Sequence, residues 1–124
     1  MKFAVVGARL ACLLGLALLA GCTQDARSLS LDEGLARASL AEFLETWKSG
    51  GKAEDLKPRI TGFDLAWNSG RELVSYEILP EAKNDGANLH VKVAAVLKDA
   101  QGKEKPTEIP YIVGTQPVIT IFRP

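Results

Sequence analysis

The apolar positions of this chain change their spacing along its length, and each change marks an element. Residues 10–20 form a continuous apolar run of eleven residues. Further on, Ala36, Leu40, Phe43, Leu44 and Trp47 recur at helical spacing, with Glu42, Glu45 and Lys48 outside the stripe. From Glu72 onward the period falls to two. Apolar residues three and four apart share one face of a helix, whereas strict alternation marks a strand with one buried face.

The punctuation between these patterns predicts the boundaries. Ser30 and Glu33 have capping-box spacing, with Asp32 and Glu33 in a first turn that favours acidic residues. Gly50-Gly51 predicts the end of that helix. Phe43 and Trp47 are then core residues that press the helix onto a sheet. Residues 53–57 predict a short second helix, stopped before Pro58. Residues 59–65 fit no single pattern and can open a strand. Asn68-Ser69-Gly70 predicts a turn.

In the alternating half, Val74, Tyr76 and Ile78 predict one strand face, with Leu73, Ser75, Glu77 and Leu79 on the other and Pro80 as the strand's end. Asn84-Asp85-Gly86 turns the chain. Leu89, Val91, Val93, Ala95 and Leu97 predict the buried face of a long strand, opposite His90, Lys92 and Lys98. A second turn covers residues 99–102. Residues 107–113 predict a third strand with Ile109, Tyr111 and Val113 on one face, and Pro106 and Pro110 predict an edge strand or a bulge early in that run. Residues 118–122 close the chain as a last strand. The expected fold class is α+β: an N-terminal helix packed on a curved antiparallel sheet of about four strands.

The first apolar run differs in kind. Lys2 and Arg9 precede it, and eleven residues suit a signal sequence but fall short of a membrane span. It ends in Leu19-Ala20-Gly21-Cys22, which resembles the lipobox of bacterial lipoproteins. The resemblance implies cleavage between Gly21 and Cys22, and attachment of the new N-terminus to membrane lipid through an acylated Cys22. Residues 1–21 are then a signal peptide, residues 22–30 the acylated cysteine with a short polar tether, and residues 31–124 one domain. About eight extended residues beyond Cys22 reach roughly 26 Å, so the domain rides close to the bilayer. The location implied is the periplasmic or extracellular side. Thr23, where an Asp would favour the inner membrane of enterobacteria, implies the outer membrane if the host has one.

Loss of residues 1–21 takes Lys2 and Arg9 away, so 15 basic and 15 acidic side chains become 13 and 15, a balance of −2. The basic residues are scattered. Neither feature suits nucleic-acid binding. Of the two cysteines, Cys12 leaves with the signal and Cys22 is acylated, which excludes a disulfide, a redox pair and a cysteine nucleophile. The single His90 is too few for a His-based metal site, so no metal or cofactor is expected. Phosphate loops and metalloprotease motifs are lacking as well.

The element order resembles the cone-shaped fold of the nuclear transport factor two-like superfamily over residues 31–123. The capped helix ending in Trp47, the polar turn after Trp67 and the closing strands carry the resemblance. The chain is shorter than fuller members between Gly50 and Gly70. The superfamily implies either an isomerase- or cyclase-type pocket or a non-catalytic binding or dimerisation module, and fold alone selects neither. A pocket of the first kind needs a buried carboxylate and tyrosine donors. The candidates are Asp64, Tyr76, His90 and Tyr111. Asp64 also reads as a turn or cap residue, His90 as solvent-facing, and both tyrosines as ordinary strand residues. The reading the sequence favours is a lipid-anchored, non-catalytic binding module of the cell envelope that meets an envelope protein or an apolar small ligand. A small enzyme with a dispersed pocket and a structural homodimer are the alternatives.

Overall fold

The computed structural model describes residues 30–124. The signal run, the Gly21–Cys22 cleavage site and the tether up to Leu29 lie outside the described residues. Helix α1 (Glu33–Lys48) is followed by a 3₁₀ turn (Ala53–Leu56), strand β1 (Ile60–Phe63) and a one-turn helix α2 (Leu65–Asn68). Strands β2 (Glu72–Asn84), β3 (Asn88–Lys98), β4 (Glu104–Gly114) and β5 (Ile119–Phe122) complete the chain. The strands form one sheet in the order β1-β5-β4-β3-β2. The α+β class is as expected, but the sheet has five strands. The fifth is β1, drawn from the ambiguous residues 59–65. It runs parallel to β5, with Ile60 opposite Ile119 and Phe63 opposite Phe122, while the other pairs are antiparallel.

Helix α1 begins later than the capping-box spacing suggests. Asp32, not Ser30, is its N-cap, and Asp32 Oδ1 accepts the Leu35 N–H at 3.0 Å. The reason is tertiary. The Leu31 N–H donates to Gly86 O and the Asp32 N–H to Thr115 Oγ1, both at 3.1 Å. These bonds hold Asp32 extended, so the helix can start only after it. The C-terminus is as read. Gly50, at φ +84°, lets its own N–H reach Trp47 O and that of Gly51 reach Thr46 O. These two bonds satisfy carbonyls the helix leaves open.

The stripe of α1 packs onto the sheet face that carries Leu89, Val93, Ile109, Tyr111 and Ile121, with Leu40, Phe43 and Leu44 fully buried beneath it. Alternation in β3 and β4 put the right residues inside. In β2 it did not. A register shift between Leu73 and Ser75 accommodates Val74 as an extra residue, so Leu73 (opposite Leu97), Tyr76 (opposite Ala95) and Ile78 (opposite Val93) share the core face. A bulge inverts the side-chain phase on either side of it. A second shift, between Ile78 and Ala82, carries β2 past Pro80, which does not end the strand.

Strand β4 is interior in sheet order and pairs with β3 in unbroken register, so its prolines mark neither an edge strand nor a bulge against β3. Yet β5 pairs only with Ile112–Gly114, so Pro106 and Pro110 have β3 on one side and no strand on the other. Pro106 and Pro110 lie four residues apart and therefore present the missing N–H to the same side. None of the described helices is long and apolar enough to cross a membrane.

Candidate functional site

Asp64 closes β1 and caps α2. Its Oδ1 accepts the N–H of Ala66 at 2.8 Å and of Trp67 at 3.3 Å, which anchors a helix too short to persist alone. The same carboxylate meets the central strand of the sheet, two places along from β1. Tyr111 O–H on β4 donates to Asp64 Oδ2 at 2.6 Å. Arg123, just past β5, donates from Nη2 to both carboxylate oxygens, at 3.2 and 3.0 Å. The Asp64 side chain is fully buried, while that of Arg123 is 29% exposed. Burial first, and then the neighbouring Asp64 charge, pushes the Tyr111 phenol far above its ordinary range, so it stays a donor at any physiological pH. Asp64 and Tyr111 are thus brought together, as a pocket site would need. However, donors from the α2 backbone, Tyr111 and Arg123 already occupy both oxygens. The contact joins β1, β4 and the C-terminus across the core.

Aromatic rings surround this junction. Phe43 stands edge-on to Trp67 at 5.0 Å and to Tyr111 at 6.2 Å. Trp47 and Trp67 stack at 5.6 Å, nearly parallel. Each indole N–H finds a carbonyl, Trp47 to Arg71 O at 2.8 Å and Trp67 to Gly51 O at 3.0 Å. The end of α1, the loop residue Gly51 that follows it and α2 are held as one block by these contacts.

The other candidates lie elsewhere. Tyr76 O–H on β2 donates to Glu45 Oε2 at 2.9 Å, tying the strand to α1, and burial raises its pKa. His90 sits on the outer face of β3, with Nε2 2.8 Å from Asp85 Oδ2 in the β2–β3 turn. Tyr76 and His90 therefore reach neither Asp64 nor each other. His90 and the N–H groups of Asn88 and Ala87 hold the Asp85 carboxyl down at about 2, from an ordinary 3.8. A carboxyl depressed by folding contributes stability above its ordinary value and loses it as pH falls through its folded value. Carbon-detected NMR titration is expected to give Asp85 a midpoint near 2. His90→Ala should move that midpoint up toward 3.8, and an unmoved midpoint would remove His90 as the cause.

Sequence reasoning did not find Arg123. Its signal is a lone basic residue after the last alternating strand, which looks like any solvated end. Nor did it find the surface along β1. The sheet order leaves β1 with β5 on one side and no strand on the other. Phe63 and Leu65 are 56% and 67% exposed there, and Phe122, opposite Phe63, is 42% exposed. Beside them is a cleft of about 380 Å³, bounded by Lys52, Ala53 and Glu54 of the 3₁₀ segment and by Gly62, Phe63 and Trp67. Among the described residues no group of three or more His, Cys, Asp or Glu is placed to hold a metal ion.

Comparison with known proteins found no matching family model, no matching curated protein and no matching solved structure.

Proposed function

We propose that the chain is a lipid-anchored envelope protein whose folded part is a non-catalytic binding module, and that it takes an extended apolar peptide segment of another envelope protein along the free edge of β1. The observation that carries this reading is the exposure of Phe63, Leu65 and Phe122 around that edge, next to an open cleft. Large apolar side chains clustered on a surface favour a partner that covers them. An unpaired strand edge supplies backbone groups that an extended peptide can satisfy, and flanking pockets select its side chains. The buried carboxylate supports a scaffold in preference to a reaction centre, since its donors are all internal to the fold.

The anchor is tested by mass spectrometry of the mature N-terminal peptide, in which Cys22 should carry acyl chains. Binding is tested by selecting displayed peptides on the purified full-length lipoprotein. Peptides that alternate apolar and polar residues should be enriched. Phe63→Asp and Leu65→Asp should each weaken their binding about tenfold or more, because exposed aromatic and aliphatic anchors dominate such contacts. Gln101→Asp, in the β3–β4 turn, should leave it unchanged. Selection that yields no sequence class, or peptides indifferent to Phe63 and Leu65, would overturn the reading.

A further inference from the structure

The chain enters the folded domain at one defined place. Leu31 is pinned to Gly86 in the β2–β3 turn, and Asp32 to Thr115 in the β4–β5 turn. The tether therefore arrives at the pole of the domain formed by those two turns and the start of α1. Two large apolar side chains stand exposed at this pole. Leu35, in the first turn of α1, is 41% exposed, and Val118, three residues beyond Thr115, is 52% exposed. Neither belongs to the buried core.

We infer that this pole is the membrane-facing surface of the protein, with Leu35 and Val118 set into the interface of the bilayer that holds the anchor. The inference rests on the reading of Cys22 as the acylated residue. Ser30 is the eighth residue beyond Cys22, and that stretch reaches roughly 26–29 Å at most. A leash that short keeps the pole at high effective concentration over the lipid surface. Burial of two apolar side chains in the interface then adds to the anchor. Asp32 and Glu33 border Leu35, so the contact draws on apolar burial and not on attraction to anionic headgroups.

The orientation has a consequence for the binding face. Strand β3 runs from Asn88 at this pole to Lys98, eleven residues and about 33 Å away. The β3–β4 turn with Gln101 then points away from the bilayer. Strand β1 starts at the pole, with Ile60 beside Ile119, and carries Phe63 away from it. Phe63 and Leu65 stay open to a partner alongside the membrane.

The test uses the full processed lipoprotein in neutral phosphatidylcholine–phosphatidylethanolamine vesicles. With Cys22 acylated, Leu35→Cys, Val118→Cys, Leu65→Cys and Gln101→Cys each supply a single thiol for a nitroxide. All four sites are exposed, and circular dichroism of each labelled chain checks the fold. Labels at 35 and 118 should lose most of their collisions with a water-soluble nickel chelate and gain collisions with oxygen. Labels at 65 and 101 should behave as in water. Open labels at 35 and 118 on an acylated chain would overturn the inference and leave the anchor standing. Shielding at 65 alone would also overturn it, by placing the start of α2, beside β1, on the lipid. A mature chain without acyl groups on Cys22 would remove the anchor, and this inference with it.

Discussion

Replacing Asp64 with alanine is expected to destabilise the domain by about 3–5 kcal/mol, the range for breaking a buried charge pair by removing one partner. The substitution does three things at once. It leaves Tyr111 O–H buried with no acceptor, since its 2.6 Å bond to Asp64 is lost. It strips the guanidinium of Arg123, whose Nε is already buried without a partner, of the one carboxylate it pairs with among the described residues. It also removes the cap of α2, by freeing the N–H groups of Ala66 and Trp67. A domain of this size has about 5–15 kcal/mol in total, so the variant should keep its fold in buffer with a much smaller margin and unfold at a markedly lower urea concentration than the parent. Tyr111→Phe keeps the ring and the carboxylate's other donors, and should cost about 1–2 kcal/mol. Urea denaturation of the three proteins reads both values. A cost of Asp64→Ala within about 1 kcal/mol of Tyr111→Phe would mean that the Arg123 bond and the α2 cap contribute little.

The second large effect concerns Gly62 in the middle of β1. Phe43, fully buried on α1, lies directly over it. A Cβ at position 62 would overlap Phe43 Cε2 and stand 2.8 Å from Cδ2. The ring has little freedom to yield, because Trp67 and Tyr111 flank it edge-on. Gly62→Ala is therefore expected to cost about 1–3 kcal/mol through overpacking. Phe43→Ala is expected to cost about 3–5 kcal/mol through the cavity it leaves. The informative result is their coupling. In the Phe43→Ala background, Gly62→Ala should be close to neutral, since the new methyl enters vacated space. Denaturation of the four members of this cycle measures the interaction directly. Fully additive costs would place the strain of Gly62→Ala somewhere other than the Phe43 ring.

The legible parts of the fold were those with one dominant local signal. The α1 stripe and the alternation of β3 placed Leu40, Phe43, Leu89 and Val93 in the core correctly. Asp64 was readable as a cap, and it is one. The illegible parts depend on partners distant in sequence. Strand β1 has four residues, one of them glycine, and pairs with β5 near the other end of the chain. Nothing within residues 59–65 encodes that pairing. The face of Leu73 was misread because one extra residue, Val74, inverts the alternation, and a bulge has no reliable mark in a run of apolar residues. Of the four candidate site residues, Asp64 and Tyr111 meet, whereas Tyr76 and His90 serve Glu45 and Asp85.

The sequence by itself determined the class of element in most segments, the buried faces of α1, β3 and β4, and the scarcity of cysteine and histidine chemistry. These follow from side-chain period and from composition, both of which are local or additive. The tertiary structure alone decided the fifth strand, the start of α1 at Asp32, the union of Asp64 with Tyr111 and Arg123, and the exposure of Phe63 and Leu65 beside an unpaired edge. Each depends on which distant segments meet. That is set by packing the whole core at once and by satisfying buried polar groups across it.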